Sequence, residues 1–196
     1  MPTTLEDSYR LYMGKRFADV NKAIEVSVGK SLPEGFAPSY QARTLNRFRR
    51  DLRFATGARE HIAAFPNALR CIASSSSPDR LAICLEVLCL QAEFGGKNVF
   101  SGSSVARGKP HPDIFLHAAR QMGIDPSRCL VIEDSPSGVE AGRAAGMTVI
   151  GLLAASHIQP SHPERLRQAG AQHIAATFAE AQRITGAFLA VIDASL

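Results

Sequence analysis

The sequence predicts an α/β protein: a doubly wound parallel sheet carrying a small all-helical appendage. Three observations predict it. From about residue 69 onward, short apolar or β-branched runs alternate with amphipathic stretches of helical length. The first 54 residues contain no strand-like run and carry apolar residues at helical spacing. Several apolar runs end in polar loops bearing serines or paired acids, and open parallel sheets gather their ligands at such strand ends.

In order, helices are expected over residues 5–13, 17–28 and 39–54, punctuated by Gly14 and by a Pro33- and Gly35-containing loop. The character changes after Ala55-Thr56-Gly57, which divides the chain into residues 1–54 and 55–196. The second unit reads as strand 69–73, helix 78–90, strand 99–101, helix 112–122, strand 129–132, helix 138–145 and strand 148–152. A last strand–helix pair falls near 172–183. The apolar run 187–193 ends in Asp193 and is expected to be a C-terminal helix packed on the sheet. No internal repeat or low-complexity segment interrupts the pattern.

A chain of 196 residues suffices for one buried core, or a core plus a small helical addition. With 45% hydrophobic and 20% charged residues, it has the composition of a soluble globular protein. A net charge of +4 without a long basic block suits an anionic ligand and argues against nucleic acid. The densest basic stretch, Arg47, Arg49, Arg50 and Arg53, spreads around a helix as a solvated face. Cys71, Cys84, Cys89 and Cys129 form no C-x-x-C pair and sit in apolar runs, so buried reduced thiols and a cytoplasmic location are expected. No apolar run approaches the roughly 20 residues that span a bilayer, and residues 1–7 lack a signal pattern.

Three stretches carry chemistry. In the first, residues 71–79, an apolar strand runs into Ser74, Ser75, Ser76 and Ser77, and Pro78 suits a first helical turn. A helix start of this kind offers free N–H groups to an anion, although the serines taken alone also read as a helix-capping turn. In the second, Lys109 precedes Pro110-His111-Pro112-Asp113 in a loop, from which a lysine can neutralise a phosphate as a point charge. Alone it also reads as a surface residue, and His111 and His117 read as structural or surface residues. The third stretch, residues 130–138, is the most specific: an apolar strand ends in Glu133-Asp134 before Ser135-Pro136-Ser137-Gly138. Adjacent carboxylates repel unless a cation compensates them, and oxygen ligands with open positions suit Mg²⁺. The competing reading is a helix cap by Asp134 or Ser135 with Glu133 solvated.

In this order the three stretches resemble motifs two, three and four of the haloacid dehalogenase-like superfamily, in its β-phosphoglucomutase-like branch with a helical cap. The resemblance covers nearly the whole chain. It implies that Ser74 and the Ser75 N–H hold a transferring phosphoryl group, that Lys109 neutralises it, and that Glu133 and Asp134 sit at Mg²⁺, Asp134 more directly. Residues 1–54 correspond to the cap, whose loop Gly14-Lys15-Arg16 is expected to face the substrate. The implied activity is a phosphatase acting on a small phosphorylated metabolite, with a phosphosugar mutase or a non-catalytic phosphate- and Mg²⁺-binding remnant as alternatives. A monomer or dimer is expected, without nucleic-acid or membrane partners.

One family feature is absent. The superfamily's nucleophile and general acid–base are the two aspartates of a D-x-D motif at the end of a first, central strand, and no D-x-D occurs in this sequence. Residue 1 already corresponds to a position within the cap. The expectation is therefore of an upstream start, about 30 residues earlier, with a gap in the sheet between the strands ending at Ser74 and Glu133. The 196-residue chain is expected to be inactive as it stands.

Overall fold

The computed structural model describes residues 4–155 and 158–194. Residues 1–3, on which the absence of a leader was partly read, lie outside them. Helices α1 (Leu5–Tyr12), α2 (Phe17–Val28) and α3 (Phe36–Asp51) come first, without a strand among them. Thr4 caps α1 reciprocally with Asp7: its hydroxyl accepts from the Asp7 N–H at 3.0 Å and its own N–H donates to the Asp7 carboxylate at 3.2 Å. Gly29 ends α2 at φ 69°, a left-handed turn that glycine adopts without strain. No residue of α2 or α3 is fully buried; Phe17 stacks on Tyr40 at 5.0 Å and Phe36 on Tyr40 at 6.1 Å. The arginines at 47, 49, 50 and 53 lie on the exposed side of α3 or just beyond it, as expected.

The rest runs α4 (Ala58–Ala63), β1 (Ile72–Ser74), α5 (Pro78–Val87), α6 (Gln91–Phe94), β2 (Val99–Ser101), α7 (Asp113–Met122), β3 (Leu130–Glu133), α8 (Pro136–Ala144), β4 (Thr148–Leu152), α9 (His162–Gln168), β5 (His173–Ala175) and α10 (Phe178–Asp193). All described strand pairs are parallel. Val149 and Ile150, both fully buried, are neighbours on β4 and point to opposite faces. Val149 joins Val131, Val139, Ile114 and Leu166 under α7, α8 and α9, whereas Ile150 joins Leu152, Ala175 and Ala181 under α10. That is the doubly wound arrangement. The run 187–193 is helical as expected, being the end of α10, but the helix meets the sheet through its first half, at Phe178, Ala181 and Ile184, and Val191 in the run is exposed.

The sheet is in two pieces, β1–β2 and β3–β4–β5. Among the described residues no strand joins them. The break falls between the strand ending at Ser74 and the strand ending at Glu133.

Several boundaries differ from the sequence reading. Strand β1 begins at Ile72 rather than 69: Leu69 is exposed, and the Arg70 guanidinium turns back onto the carbonyls of Ile62, Phe65 and Ala68. Helix α5 stops at Val87 rather than 90. Cys89 takes a left-handed φ of 52°, and the Leu90 N–H bonds back to the Leu85 carbonyl at 2.9 Å. Helices α4, α6 and α9 were not anticipated; α4 has six residues, α6 four, and α9 has seven and anchors through Leu166 and His162. The four cysteines are free thiols. The expectation that all are buried is corrected: Cys71, Cys84 and Cys129 are half-buried and the turn leaves Cys89 exposed; partial burial still pushes the Cys71 thiol up to about 11. No described helix is long and apolar enough to cross a membrane.

Candidate active site

Ser74 stands at the carboxyl end of β1 and its hydroxyl accepts from the Ser76 N–H at 3.1 Å, which curls the serine loop over the strand end. Ser101, on β2 directly beside Ser74, is buried and donates to the Ser76 carbonyl at 2.7 Å. It fixes this loop from a neighbouring strand. The sequence reading did not single it out, because only the register identifies it.

Lys109 is not a surface lysine. Its side chain is 5% exposed, it forms an ion pair with Glu133, and it donates to the Ala73 carbonyl at 3.2 Å. Its ammonium also sits 4.7 Å from the centre of the Phe115 ring. The Ile72 N–H donates towards β2, to the Asn98 carbonyl. Alternate peptide groups of a strand point to opposite sides, so the Ala73 carbonyl faces away from β2. Lys109 thus bridges the open edge of β1 to the end of β3 across the break in the sheet.

Glu133 is not solvated either; its side chain is 11% exposed. Its second oxygen accepts from the Ser135 hydroxyl at 3.1 Å, and Ser135 caps α8 by accepting from the Gly138 N–H at 3.1 Å. The carboxylate therefore lies against the positive end of a helix. Gly138 makes this possible, because a Cβ there would stand 2.2 Å from the Glu133 carboxyl carbon. Gly138→Ala is expected to push Glu133 off Lys109 and to destabilise the protein by about 1–3 kcal/mol. Urea denaturation of the two proteins measures this, and an unchanged midpoint contradicts the packing described.

The Asp134 carbonyl is held by a histidine absent from the sequence reading. His162 is 2% exposed at the start of α9, and its Nε2 lies 2.6 Å from that oxygen. No ligand spacing marked it, since it acts through a main-chain atom 28 positions away.

The loop at residues 14–16 behaves in two ways. The Gly14 carbonyl accepts from the Ser75 hydroxyl at 2.7 Å. Gly14 also has φ 77°, and a Cβ on it would strike the Ser135 and Ser137 side chains. Lys15 lines the cavity described next. Arg16 corrects the expectation that it faces substrate: it grips both Asp19 oxygens, at 2.7 and 3.0 Å, and reaches the carbonyls of Gly102, Val105 and Ala106. It ties the helical layer to the loop before Lys109.

Ser74, Ser75, Lys109, Glu133 and Asp134 all line one cavity of about 1010 Å³, with Gly14 and Lys15 across from them. Apolar residues line it too, among them Ile72 of β1 and Ile132 of β3 beside the sheet break, Leu152 of β4 and Phe178 of α10. Among the described residues no three His, Cys, Asp or Glu side chains cluster as a metal site. Two adjacent carboxylates, one already compensated by a lysine, are an oxygen-only donor set. That set fits an ion such as Mg²⁺ that keeps several waters and takes a substrate oxygen.

These features are those of an α/β phosphate-handling fold. The profile of the haloacid dehalogenase-like hydrolase family matches residues 40–146, more than half of the chain. The chain belongs to that family. It is 27% identical over 161 residues to the 6-phosphogluconate phosphatase of Escherichia coli, a match covering 81% of this chain and 72% of that protein. Further curated relatives align over 50–88 residues, which is 16–31% of their own lengths. A conserved haloacid dehalogenase-like protein of unknown function from Agrobacterium tumefaciens has a solved structure similar to this one, with TM-score 0.79 and 32% identity over 96% of this chain and 85% of that one. A haloacid dehalogenase family hydrolase from Deinococcus radiodurans, solved with bound phosphate and sodium, gives TM-score 0.70 and 33% identity over 96% and 82%.

Proposed function

We propose that this chain carries the phosphate site of an Mg²⁺-dependent phosphatase for small phosphorylated metabolites. The observation that carries the reading is the convergence of Ser74, Lys109, Glu133 and Asp134 on one cavity at the carboxyl ends of β1 and β3. The Ser74 hydroxyl and the N–H of Ser75 hydrogen-bond the phosphoryl oxygens. Lys109 offsets their charge from below while holding Glu133 in place. Asp134, backed by Glu133, would hold Mg²⁺, which when bound supplies positive charge to the phosphoryl group in the transition state. The helical residues before 55 act as a cap that covers the site. The phosphatase relative from E. coli supports a small phosphorylated substrate, and the free thiols support a reducing compartment such as the cytoplasm.

The nucleophile is the part not found among these groups. Glu133 and Asp134 are the only carboxylates lining the cavity among the described residues, and both are committed to charge compensation. The attacking carboxylate then belongs to an extended segment lying between β1 and β3.

Titration with inorganic phosphate tests the site itself. Phosphate binds, and Mg²⁺ tightens it by about tenfold or more in the starting protein. Asp134→Asn removes the Mg²⁺ effect, and Ser74→Ala weakens binding in either condition by roughly tenfold. Calorimetry that finds no phosphate binding, or an Mg²⁺ effect that survives in Asp134→Asn, discards the assignment.

A further inference from the structure

The cavity has polar lining that the phosphate chemistry does not use. Asn21 of α2, and Ser77 and Arg80 at the start of α5, each line it. Each also buries a polar atom without a hydrogen-bond partner: Asn21 Oδ1, Ser77 Oγ and Arg80 Nε. Such atoms are rare in folded proteins and signal a ligand or an ordered water. Ser77 stands at the N-cap of α5 yet makes no capping bond, so its hydroxyl is not consumed by the helix. Arg80 lies 5.1 Å from the centre of the Phe48 ring, which fixes the plane of its guanidinium. Among the described residues no carboxylate pairs with it. Its neighbour Asp79 is instead hydrogen-bonded to the Gln41 side chain at 3.2 Å.

We infer that Arg80, Asn21 and Ser77 form a second subsite, which takes the distal end of the substrate and selects a phosphorylated hydroxy acid. This rests on the phosphatase reading above. A carboxylate on the distal end supplies the acceptor that the Arg80 guanidinium lacks, and planar guanidinium suits planar carboxylate. A neighbouring hydroxyl donates to Asn21 Oδ1, and Ser77 Oγ accepts or donates as the ligand requires. A cavity of about 1010 Å³ has room for much more than a phosphate. The substrate is thus held at both ends, phosphate at the serine loop and acid at the first turn of α5.

The test uses the full chain with Mg²⁺ and three probes in calorimetry: inorganic phosphate, 6-phosphogluconate, and glucitol 6-phosphate, whose distal end is neutral. 6-Phosphogluconate binds at least about tenfold more tightly than glucitol 6-phosphate. In Arg80→Met, which keeps an apolar stem against Phe48, that ratio falls to near one. Inorganic phosphate is too small to span both ends and serves as the internal control. Asn21→Asp puts a negative charge beside the same carboxylate and weakens 6-phosphogluconate by a similar factor; it decides the matter if Arg80→Met does not fold. A preference that persists in these variants overturns the subsite. So does an equal loss of inorganic phosphate affinity in Arg80→Met, which reassigns Arg80 to the phosphate itself. If the unmodified chain binds none of the three probes, the phosphatase reading fails and the subsite fails with it.

Discussion

Replacing Lys109 by methionine destabilises the protein by about 3–5 kcal/mol, the typical cost of leaving one member of a buried ion pair without the other. Methionine fills the space against Phe115 but leaves the Glu133 carboxylate with no cation in a place where water barely reaches. It also removes the bond to the Ala73 carbonyl, one of the polar ties across the break in the sheet. Adding Glu133→Gln to the Lys109→Met protein recovers much of the loss, because the stranded charge is gone. Urea unfolding of the four proteins of this cycle measures both effects. A loss below about 1 kcal/mol, the range of exposed ion pairs, shows that the pair is solvated and that Lys109 is no bridge.

The second large effect is on turnover. The 196-residue chain is expected to hydrolyse p-nitrophenyl phosphate with Mg²⁺ at background rate only, because among the described residues the cavity is lined by no carboxylate besides Glu133 and Asp134, which the proposed reading assigns to charge compensation. An extended apolar segment ending in D-x-D, within a longer chain or as an added peptide, fits between β1 and β3 and raises turnover by about 10³-fold or more. Two open parallel edges and the apolar side chains of Ile72, Ile132 and Leu152 provide for it. Asp134→Asn then returns the rate to background. Robust hydrolysis by the 196-residue chain alone refutes the argument.

The site's charged groups were legible because each is a local pattern. A strand running into serines, a lysine before prolines and a strand ending in two acids are readable over a few residues, and all converge on the cavity. Strands β2 and β4 were legible to the residue, being short apolar runs between polar turns. What the sequence hid depends on distant partners. Lys109 and Glu133 each had a bland solvated reading, and only their meeting 24 positions apart buries them. Arg16 belongs with Asp19 and three carbonyls 86–90 positions away, so its neighbours in sequence misdirected the assignment to substrate. His162 and Ser101 act on main-chain oxygens, which leave no trace in residue type. The start of β1 was misjudged because Leu69 looks like a strand residue and is in fact exposed.

The tie between the Ser75 hydroxyl and the Gly14 carbonyl has a kinetic corollary. On the proposed reading the serine loop that would grasp an anion is also tied to the helical layer at Gly14, so an outward swing of that layer would loosen the grasp. Admission of a molecule and assembly of its seat would then be a single motion, and departure of product would undo both together.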